Sequence, residues 1–210
     1  FVRDNGINFV YWVPSILSAV SKLDLLKDID LGIKTVFYGG ELMPTKHLKY
    51  WKKHLPNTLY SNFFGPTETT VIFAHYILDR DFSDEESLPI GYPCKNTDVF
   101  LLDENDALVT ARNTLGELCV RGASLALGYY NDSVKTASAF TQNPLNLAYP
   151  ERIYRTGDLA YYNERGELMY KGRKDFQIKH MGYRIELGEI EARLGELAEV
   201  KEVVVLARED

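Results

Sequence analysis

The first third of the chain alternates between short runs of aromatic and β-branched residues and stretches with helical apolar spacing. Residues 8–13 (NFVYWV) predict a strand, and Pro14 opens a helix whose Ile16, Leu17, Val20 and Leu23 share one face. The step recurs: residues 33–38 (IKTVFY) predict a buried strand ending at Gly39-Gly40, and Pro44 starts a helix carrying Leu48, Trp51 and Leu55. Residues 58–64 predict a third strand, stopped by Gly65-Pro66. Strand, helix and strand joined by short connections imply parallel pairing in a layered α/β sheet.

Beyond about residue 90 the pattern becomes one of short strands separated by turn signals, at 98–103, 116–121, 159–163 and 166–171, with a helix at 133–140. Asn163-Glu164-Arg165-Gly166 is expected to close a hairpin between the last two strands. From Asp175 the spacing changes again. A short strand pair is expected, then a helix with Leu187, Ile190, Leu194 and Leu197 along one face, then a buried terminal strand from Glu202. The expected fold is α/β: a parallel-sheet part over 1–90, a β-rich (distorted barrel) subdomain over 91–174, and over 175–210 the beginning of a small α+β domain. The opening Phe1 and the uncovered apolar run Val203-Val204-Val205-Leu206 read as cuts through a longer polypeptide. There is no internal repeat or low-complexity tract.

Composition narrows the function classes. Of the 210 residues 45% are hydrophobic and 26% charged, enough to bury a core and unlike a disordered chain. The formal charge of −6, with Lys and Arg scattered, offers no basic footprint for nucleic acid. Cys94, Cys119 and four dispersed histidines signal neither a disulfide framework nor a zinc site, which makes a reducing cytoplasmic compartment the default expectation. No apolar run approaches the roughly 20 residues of a membrane span, and no signal peptide opens the chain.

Asn62-Phe63-Phe64-Gly65-Pro66-Thr67-Glu68 sets an aromatic ring, a tight turn, a hydroxyl and a carboxylate at the end of a parallel strand, where open α/β sheets bind ligands. Alone, the segment reads equally as a turn followed by a solvated glutamate. Further segments follow in order: Gly116-Glu117-Leu118-Cys119-Val120-Arg121-Gly122 with Gly128-Tyr129-Tyr130, then Tyr154-Arg155-Thr156-Gly157-Asp158. After them come Gly172-Arg173-Lys174-Asp175-Phe176-Gln177-Ile178-Lys179 and Gly182-Tyr183-Arg184-Ile185-Glu186-Leu187. In sequence, order and spacing this series resembles the core motifs of the adenylate-forming (AMP-binding) superfamily, across nearly all of residues 8–205. That superfamily includes peptide-synthetase adenylation domains, D-alanine–carrier protein ligases, acyl-CoA synthetases and luciferases.

The resemblance implies roles for particular residues. Phe64 is expected to stack on adenine, where the family commonly has tyrosine, with Asn62 near the exocyclic amine. Thr67 is expected to hydrogen-bond the α-phosphate, and Glu68 to help hold Mg²⁺. Asp158 is expected to accept from both ribose hydroxyls, with Tyr170 and Arg173 flanking the same sugar. Asp175 matches the hinge about which the small domain turns between an adenylating and a thioester-forming arrangement, and Lys179 and Gly182 match a stretch lining the pantetheine tunnel. By the same resemblance Tyr11, Phe37, Gly39, Phe63, Val71 and Ile72 would line the carboxylate-substrate pocket; each could equally be plain core.

The implied activity is that of an amino-acid adenylating ligase, using ATP and Mg²⁺ and then passing the acyl group to a carrier-protein phosphopantetheine thiol. Pro66 and the Asp175–Lys179 and Gly182–Leu187 runs are most similar to the peptide-synthetase and D-alanine ligase branch. An acyl- or aryl-CoA synthetase (thiol acceptor CoA) and a non-catalytic nucleotide-binding module are the alternatives. The family's phosphate loop, an aspartate for the substrate ammonium, and a late lysine have no counterpart in these 210 residues. The chain by itself is therefore expected to be catalytically inactive, and robust ATP–pyrophosphate exchange by it would overturn that expectation.

Overall fold

The computed structural model describes residues 1–29, 31–175, 177–197 and 199–208. Three parallel strands, β1 (Phe9–Trp12), β2 (Thr35–Gly39) and β3 (Leu59–Phe64), are linked by helices α1 (Pro14–Lys22) and α2 (Thr45–His54). Antiparallel β4 (Ala74–Ile77) and β5 (Tyr92–Pro93) complete the sheet in the order β1-β2-β3-β4-β5. The first sheet thus extends to residue 93, because β5 pairs back onto β4.

Period-two alternation decides which side of this sheet is covered. Val10, Val36, Tyr38 and Tyr60 point toward the helices and form a core with Leu17, Leu48 and Trp51. The helices lie side by side, and the Trp51 indole N–H donates to the Leu17 carbonyl at 2.9 Å. Pro14 stands in the first turn of α1, whose Ser15 N–H is accepted by the Glu41 carboxylate, an anion well placed at a helix N-terminus. Lys52 and Lys53 put cations in the last turn of α2.

A second, antiparallel sheet has the order β10-β9-β7-β6, from β6 (Thr97–Leu102), β7 (Gly116–Gly122), β9 (Arg152–Tyr162) and β10 (Leu168–Arg173), with β8 (Phe140–Gln142) also on β9. β9 begins seven residues earlier than expected from its sequence. Helix α3 (Ser133–Ala139) starts at Asp132, whose side chain accepts the Lys135 N–H at 2.8 Å. The expected hairpin at Asn163–Gly166 is present: the Asn163 side-chain oxygen accepts the N–H groups of Arg165 and Glu167, and Gly166 adopts positive φ.

The two sheets are fastened where they meet. Gly91 bridges to Leu168, and buried Glu167 accepts hydrogen bonds from Tyr76 (2.9 Å), Arg80 (3.2 Å) and Asn163 (2.8 Å). This fixes β10 against the carboxyl end of β3.

The C-terminal unit comprises the hairpin β11 (Gln177–His180) and β12 (Tyr183–Glu186) followed by α4 (Leu187–Gly195). Two expectations fail here. The helix stops before Leu197, and of the four expected face residues only Leu187 is buried. No strand forms from Glu202, since residues 202–208 pair with no sheet and Val204 and Leu206 are 75% and 80% exposed. An apolar run becomes a strand only where a neighbouring edge satisfies its backbone, and residues 202–208 are paired to none of the sheets. Phe176, which the sequence motif includes, and the final Glu209-Asp210 lie outside the described residues.

Candidate functional site

A cleft of about 440 Å³ opens at the carboxyl ends of β2 and β3, between the loop leading into α2 and strand β10. Asn62, Phe64, Tyr170, Arg173 and Lys179 all line it. Phe64 stands at the last position of β3, with its ring 5.6 Å from that of Tyr170 and 5.6 Å from that of buried Phe73. The Asn62 amide donates to the Pro89 carbonyl at 2.8 Å, which orients the group and leaves its oxygen as an acceptor.

A β-bulge brings Tyr170 and Arg173 to the same place. Tyr170 lies opposite Ala160 but Gly172 lies opposite Leu159, so Lys171 is an extra residue. Three positions apart, Tyr170 and Arg173 would otherwise point to opposite faces of the strand; the inserted residue restores a common face. Arg173 falls opposite Asp158 in the register, and its guanidinium donates to the Asp158 carboxylate at 2.8 Å and to the Thr156 carbonyl at 3.1 Å. Gly157 between them has φ +72°, and a Cβ there would stand 2.9 Å from the Arg173 guanidinium. Glycine is required on both counts.

Asp158 is only 3% exposed. Burial raises its pKa, and the positive charges of Arg173 and Lys179 partly offset that rise. On its far side Arg173 donates to both oxygens of Asp175 at 2.6 Å, and this, ahead of the opposing partial burial, holds the Asp175 carboxyl below its ordinary range. One guanidinium on the cleft wall thus joins Asp158, which is buried and does not itself line the cleft, to the aspartate expected at the hinge.

Thr67 and Glu68 sit on a short 3₁₀ turn over Thr67–Thr69, just after Gly65-Pro66. A Cβ on Gly65 would meet the Val71 carbonyl at 2.7 Å, so the chain doubles back tightly here. Thr70 and Val71 both take positive φ, at 57° and 74°, costly for β-branched residues and a source of local strain. Thr67 is exposed. Glu68 is buried and does not line the cleft: it accepts from the Tyr129 hydroxyl at 2.7 Å and from Arg184. Burial alone would raise its pKa, yet hydrogen bonds from Tyr129, its own backbone and Arg184 outweigh this and hold the carboxyl low. Among the described residues no group of three or more His, Cys, Asp and Glu side chains gathers. A hard cation at Glu68 would therefore take its other ligands from substrate phosphates and water, the usual manner for Mg²⁺, and the donor set fits that ion.

The remaining expected residues lie elsewhere. Tyr11, Phe37 and Phe63 lie on the sheet face turned away from the helices, in edge-to-face contacts with centroids 4.5 Å apart for Phe37–Phe63 and 5.9 Å for Tyr11–Phe63. Gly39 is pressed against β3: an added Cβ would stand 2.4 Å from the Phe63 carbonyl oxygen. Val71 is exposed and Ile72 half-buried. The structure joins the three aromatics into one surface, separate from the cleft.

Tyr129, Arg184 and Glu41 were given no chemical role from sequence, although the Gly128-Tyr129-Tyr130 and Gly182-Tyr183-Arg184 motifs contain two of them. The C-terminal unit reaches the body through these groups. The Gly182 N–H donates to Glu41, Arg184 reaches Glu68, and the Lys179 ammonium lies 5.2 Å from the Phe64 ring centroid.

A cleft at the carboxyl edge of a largely parallel α/β sheet, lined by an aromatic ring and by an arginine paired to a buried carboxylate outside the lining, defines a ligand-binding fold. Residues 1–130 match the family model described as AMP-binding enzyme, and the chain belongs to that family. It is 39% identical over 208 residues to gramicidin S synthase 2 of Brevibacillus brevis, covering 99% of the chain and 4% of that protein. It is 37% identical over 214 residues to zwittermicin A synthase ZmaJ of Bacillus cereus, covering 99% of the chain and 40% of that protein. Among solved structures it matches holo-PA1221, described as a peptide-synthetase (NRPS) protein containing adenylation and PCP domains, with TM-score 0.87 and 31% identity over 98% of this chain and 35% of that one. It also matches the Vibrio cholerae adenylation domain AlmE in complex with glycyl-adenosine-5'-phosphate, with TM-score 0.85 and 26% identity over 96% of this chain and 38% of that one. The chain thus spans a small part of the first of these curated relatives and well under half of the matched structures. Among the described residues no helix is long and apolar enough to cross a membrane.

Proposed function

We propose that the chain carries the adenosine-binding surface of an amino-acid adenylating ligase of the peptide-synthetase type. In the first half-reaction a substrate carboxylate oxygen attacks the α-phosphorus of ATP, forming the acyl–adenylate bond and expelling pyrophosphate. In the second, a carrier-protein pantetheine thiol attacks the acyl carbonyl and AMP leaves. The observation that carries this reading is that Phe64, Tyr170 and Arg173 line one cleft, with Asp158 held by Arg173 from a buried position. A flat base suits the Phe64 ring, and the Asn62 oxygen suits an exocyclic amine. Asp158 engages Arg173 through one oxygen, leaving the other to accept from ribose hydroxyls.

Thr67, exposed three residues after Phe64, has the hydroxyl to donate to the α-phosphate, and Glu68 is the carboxylate to hold Mg²⁺. Bound there, the ion would neutralise phosphate charge that otherwise repels the incoming carboxylate. Tyr11, Phe37, Gly39, Phe63, Val71 and Ile72 are assigned to the carboxylate-substrate side, supported by the continuous aromatic surface of the first sheet. Asp175 is assigned to the hinge. The curated relatives named above are peptide synthetases, which favours that branch over the D-alanine ligases and over CoA as acceptor. A cytoplasmic site of action agrees with the free thiols of Cys94 and Cys119.

Calorimetric titration of the chain with AMP and GMP tests the nucleotide reading: AMP binds and GMP binds more weakly, since Asn62 offers an acceptor to an amine that guanine replaces with a carbonyl. Equal binding of the two, or none, defeats it. In the longer synthetase, pyrophosphate exchange driven by amino acids rather than by acyl chains sustains the substrate class.

A further inference from the structure

The aromatic face of the first sheet carries no carboxylate, lysine or arginine. Along β1 to β5 the positions turned away from the helices bear aromatic, aliphatic and small polar side chains together with His75, and none of them is Asp, Glu, Lys or Arg. Phe63 stands at the centre, with its ring centroid 4.5 Å from that of Phe37, 5.9 Å from Tyr11 and 6.2 Å from His75. The Ser61 hydroxyl is already engaged, donating to the Tyr76 carbonyl at 3.1 Å, and His75 Nδ1 lies 3.8 Å from the Cys94 sulfur. At the carboxyl end of β2 this face meets the cleft. Gly39 pairs beside Phe63 and Gly40 lines the cleft, and neither glycine puts a side chain between the two surfaces.

We propose that the amino acid activated at this site bears an uncharged, apolar side chain, with Phe63 as the residue that selects it. The inference rests on the assignment of this face to the substrate side in the function proposed above, and adds the class of substrate. A side chain bound against the Phe63 cluster exchanges water for aromatic carbon. An aliphatic or aromatic group gains from that exchange. An ammonium, guanidinium or carboxylate is desolvated with no opposite charge on the sheet to replace its water. Ring faces can attract cations, but Phe37 and Tyr11 meet Phe63 edge to face, at 85° and 88°, so the rings spend their faces on one another. Such a surface excludes charge more strongly than it sorts apolar side chains by size.

Calorimetry on the 210-residue chain with aminoacyl sulfamoyladenosines, in which a sulfamate replaces the reactive phosphate, separates the acyl contribution from that of the nucleoside. Each affinity is taken relative to sulfamoyladenosine on the same protein. On the wild type the leucyl and phenylalanyl compounds bind about tenfold tighter than sulfamoyladenosine, and the lysyl and glutamyl compounds no tighter than it. Phe63→Glu removes the leucyl advantage and raises the relative affinity of the lysyl compound about tenfold. Phe63→Leu, which stays apolar, keeps the wild-type order. If the lysyl or glutamyl compound matches the leucyl one on the wild type, the substrate class is overturned while the nucleoside site stands. A leucyl compound no tighter than sulfamoyladenosine overturns it as well, because the face then gives the acyl group nothing. If Phe63→Glu leaves the relative affinities where they were, Phe63 does not meet the side chain and the inference fails. If sulfamoyladenosine itself does not bind, the functional reading fails and takes this inference with it.

Discussion

The body, residues 1–175, and the C-terminal unit beyond it are held by different forces. The body has two large apolar clusters, one under α1 and α2 and one between the sheets, with Leu17, Val36, Leu101, Leu118 and Ala160 wholly out of water. In the C-terminal unit only Leu187 and Gln177 among the described residues are buried, and Tyr183, Val204 and Leu206 face solvent. Its attachment is polar: Arg184 to Glu68, the Gly182 N–H to Glu41, and the Arg173–Asp175 pair at the junction. Burial of apolar surface is non-directional and strongly favours one packing. A few charged contacts release at small cost when other charges replace them, which suits a unit that must turn.

That contrast breaks most visibly at the core. Trp51 is 1% exposed, packs against Trp12 and donates to Leu17. Trp51→Ala is expected to cost about 3–5 kcal/mol in urea unfolding. A loss below about 1 kcal/mol would mean that the body does not rest on this cluster. The cleft comes next. Asp158→Asn keeps the shape of the side chain and removes its charge, and losing the charged character of about two hydrogen bonds should weaken AMP binding roughly 100-fold by calorimetry. Unchanged affinity would show that this carboxylate does not face the nucleotide.

Acid separates the two regions at smaller amplitude. Glu68 and Asp175 both have depressed pKa values in the docked structure. Glu68, paired to Arg184 of the C-terminal unit, favours docking while pH is above its ordinary value, about 4.3, and that favour is lost as pH falls through the lowered one; Asp175 is held mainly by Arg173 within the body and contributes there. Asp158 acts with the opposite sign. Burial raises its pKa, so its ionisation costs folding free energy, and the cost disappears as acid protonates it. Between about pH 5 and pH 3, protection around Gly182 from hydrogen exchange, after correction for the intrinsic exchange rate at each pH, should therefore fall while the body keeps its near-ultraviolet circular dichroism. Simultaneous loss of both signals would mean that the two regions unfold as one.

What could be read from the sequence follows the same division. The parallel strands were legible because each is flanked by a proline-initiated helix and alternates with period two, as Val10, Val36 and Tyr38 show. Phe64, Asp158 and Arg173 are legible as candidates because the motif resemblance marks them, and the fold sets Arg173 against Asp158 and Phe64 beside Tyr170. The bulge at Lys171, which turns Tyr170 and Arg173 to one side, leaves no mark in the residue pattern; it is settled by pairing with β9. Tyr129 and Arg184 sat inside recognisable motifs, yet a charge on a short hairpin reads as solvated until a buried carboxylate from residue 68 is brought beside it. Residues 202–208 misled for the converse reason, because an apolar run specifies a strand only together with an edge to receive it.

Leu206 gives the gentlest and most discriminating test of the contrast. It belongs to the run Val203-Val204-Val205-Leu206 that reads as a buried strand, yet it is 80% exposed, and the neighbouring Val205 N–H donates to Glu191 and not to a strand. A leucine so exposed gains little from folding, so Leu206→Ser should leave the urea midpoint of the chain within an equivalent of about 0.5 kcal/mol. Leu118→Ser, at a wholly buried position, serves as the contrasting control and should destabilise by several times that amount. Should Leu206→Ser instead cost about 2 kcal/mol or more, the segment is packed in solution as the sequence pattern suggests, and the C-terminal unit has an apolar core of its own that the polar account of its attachment leaves out.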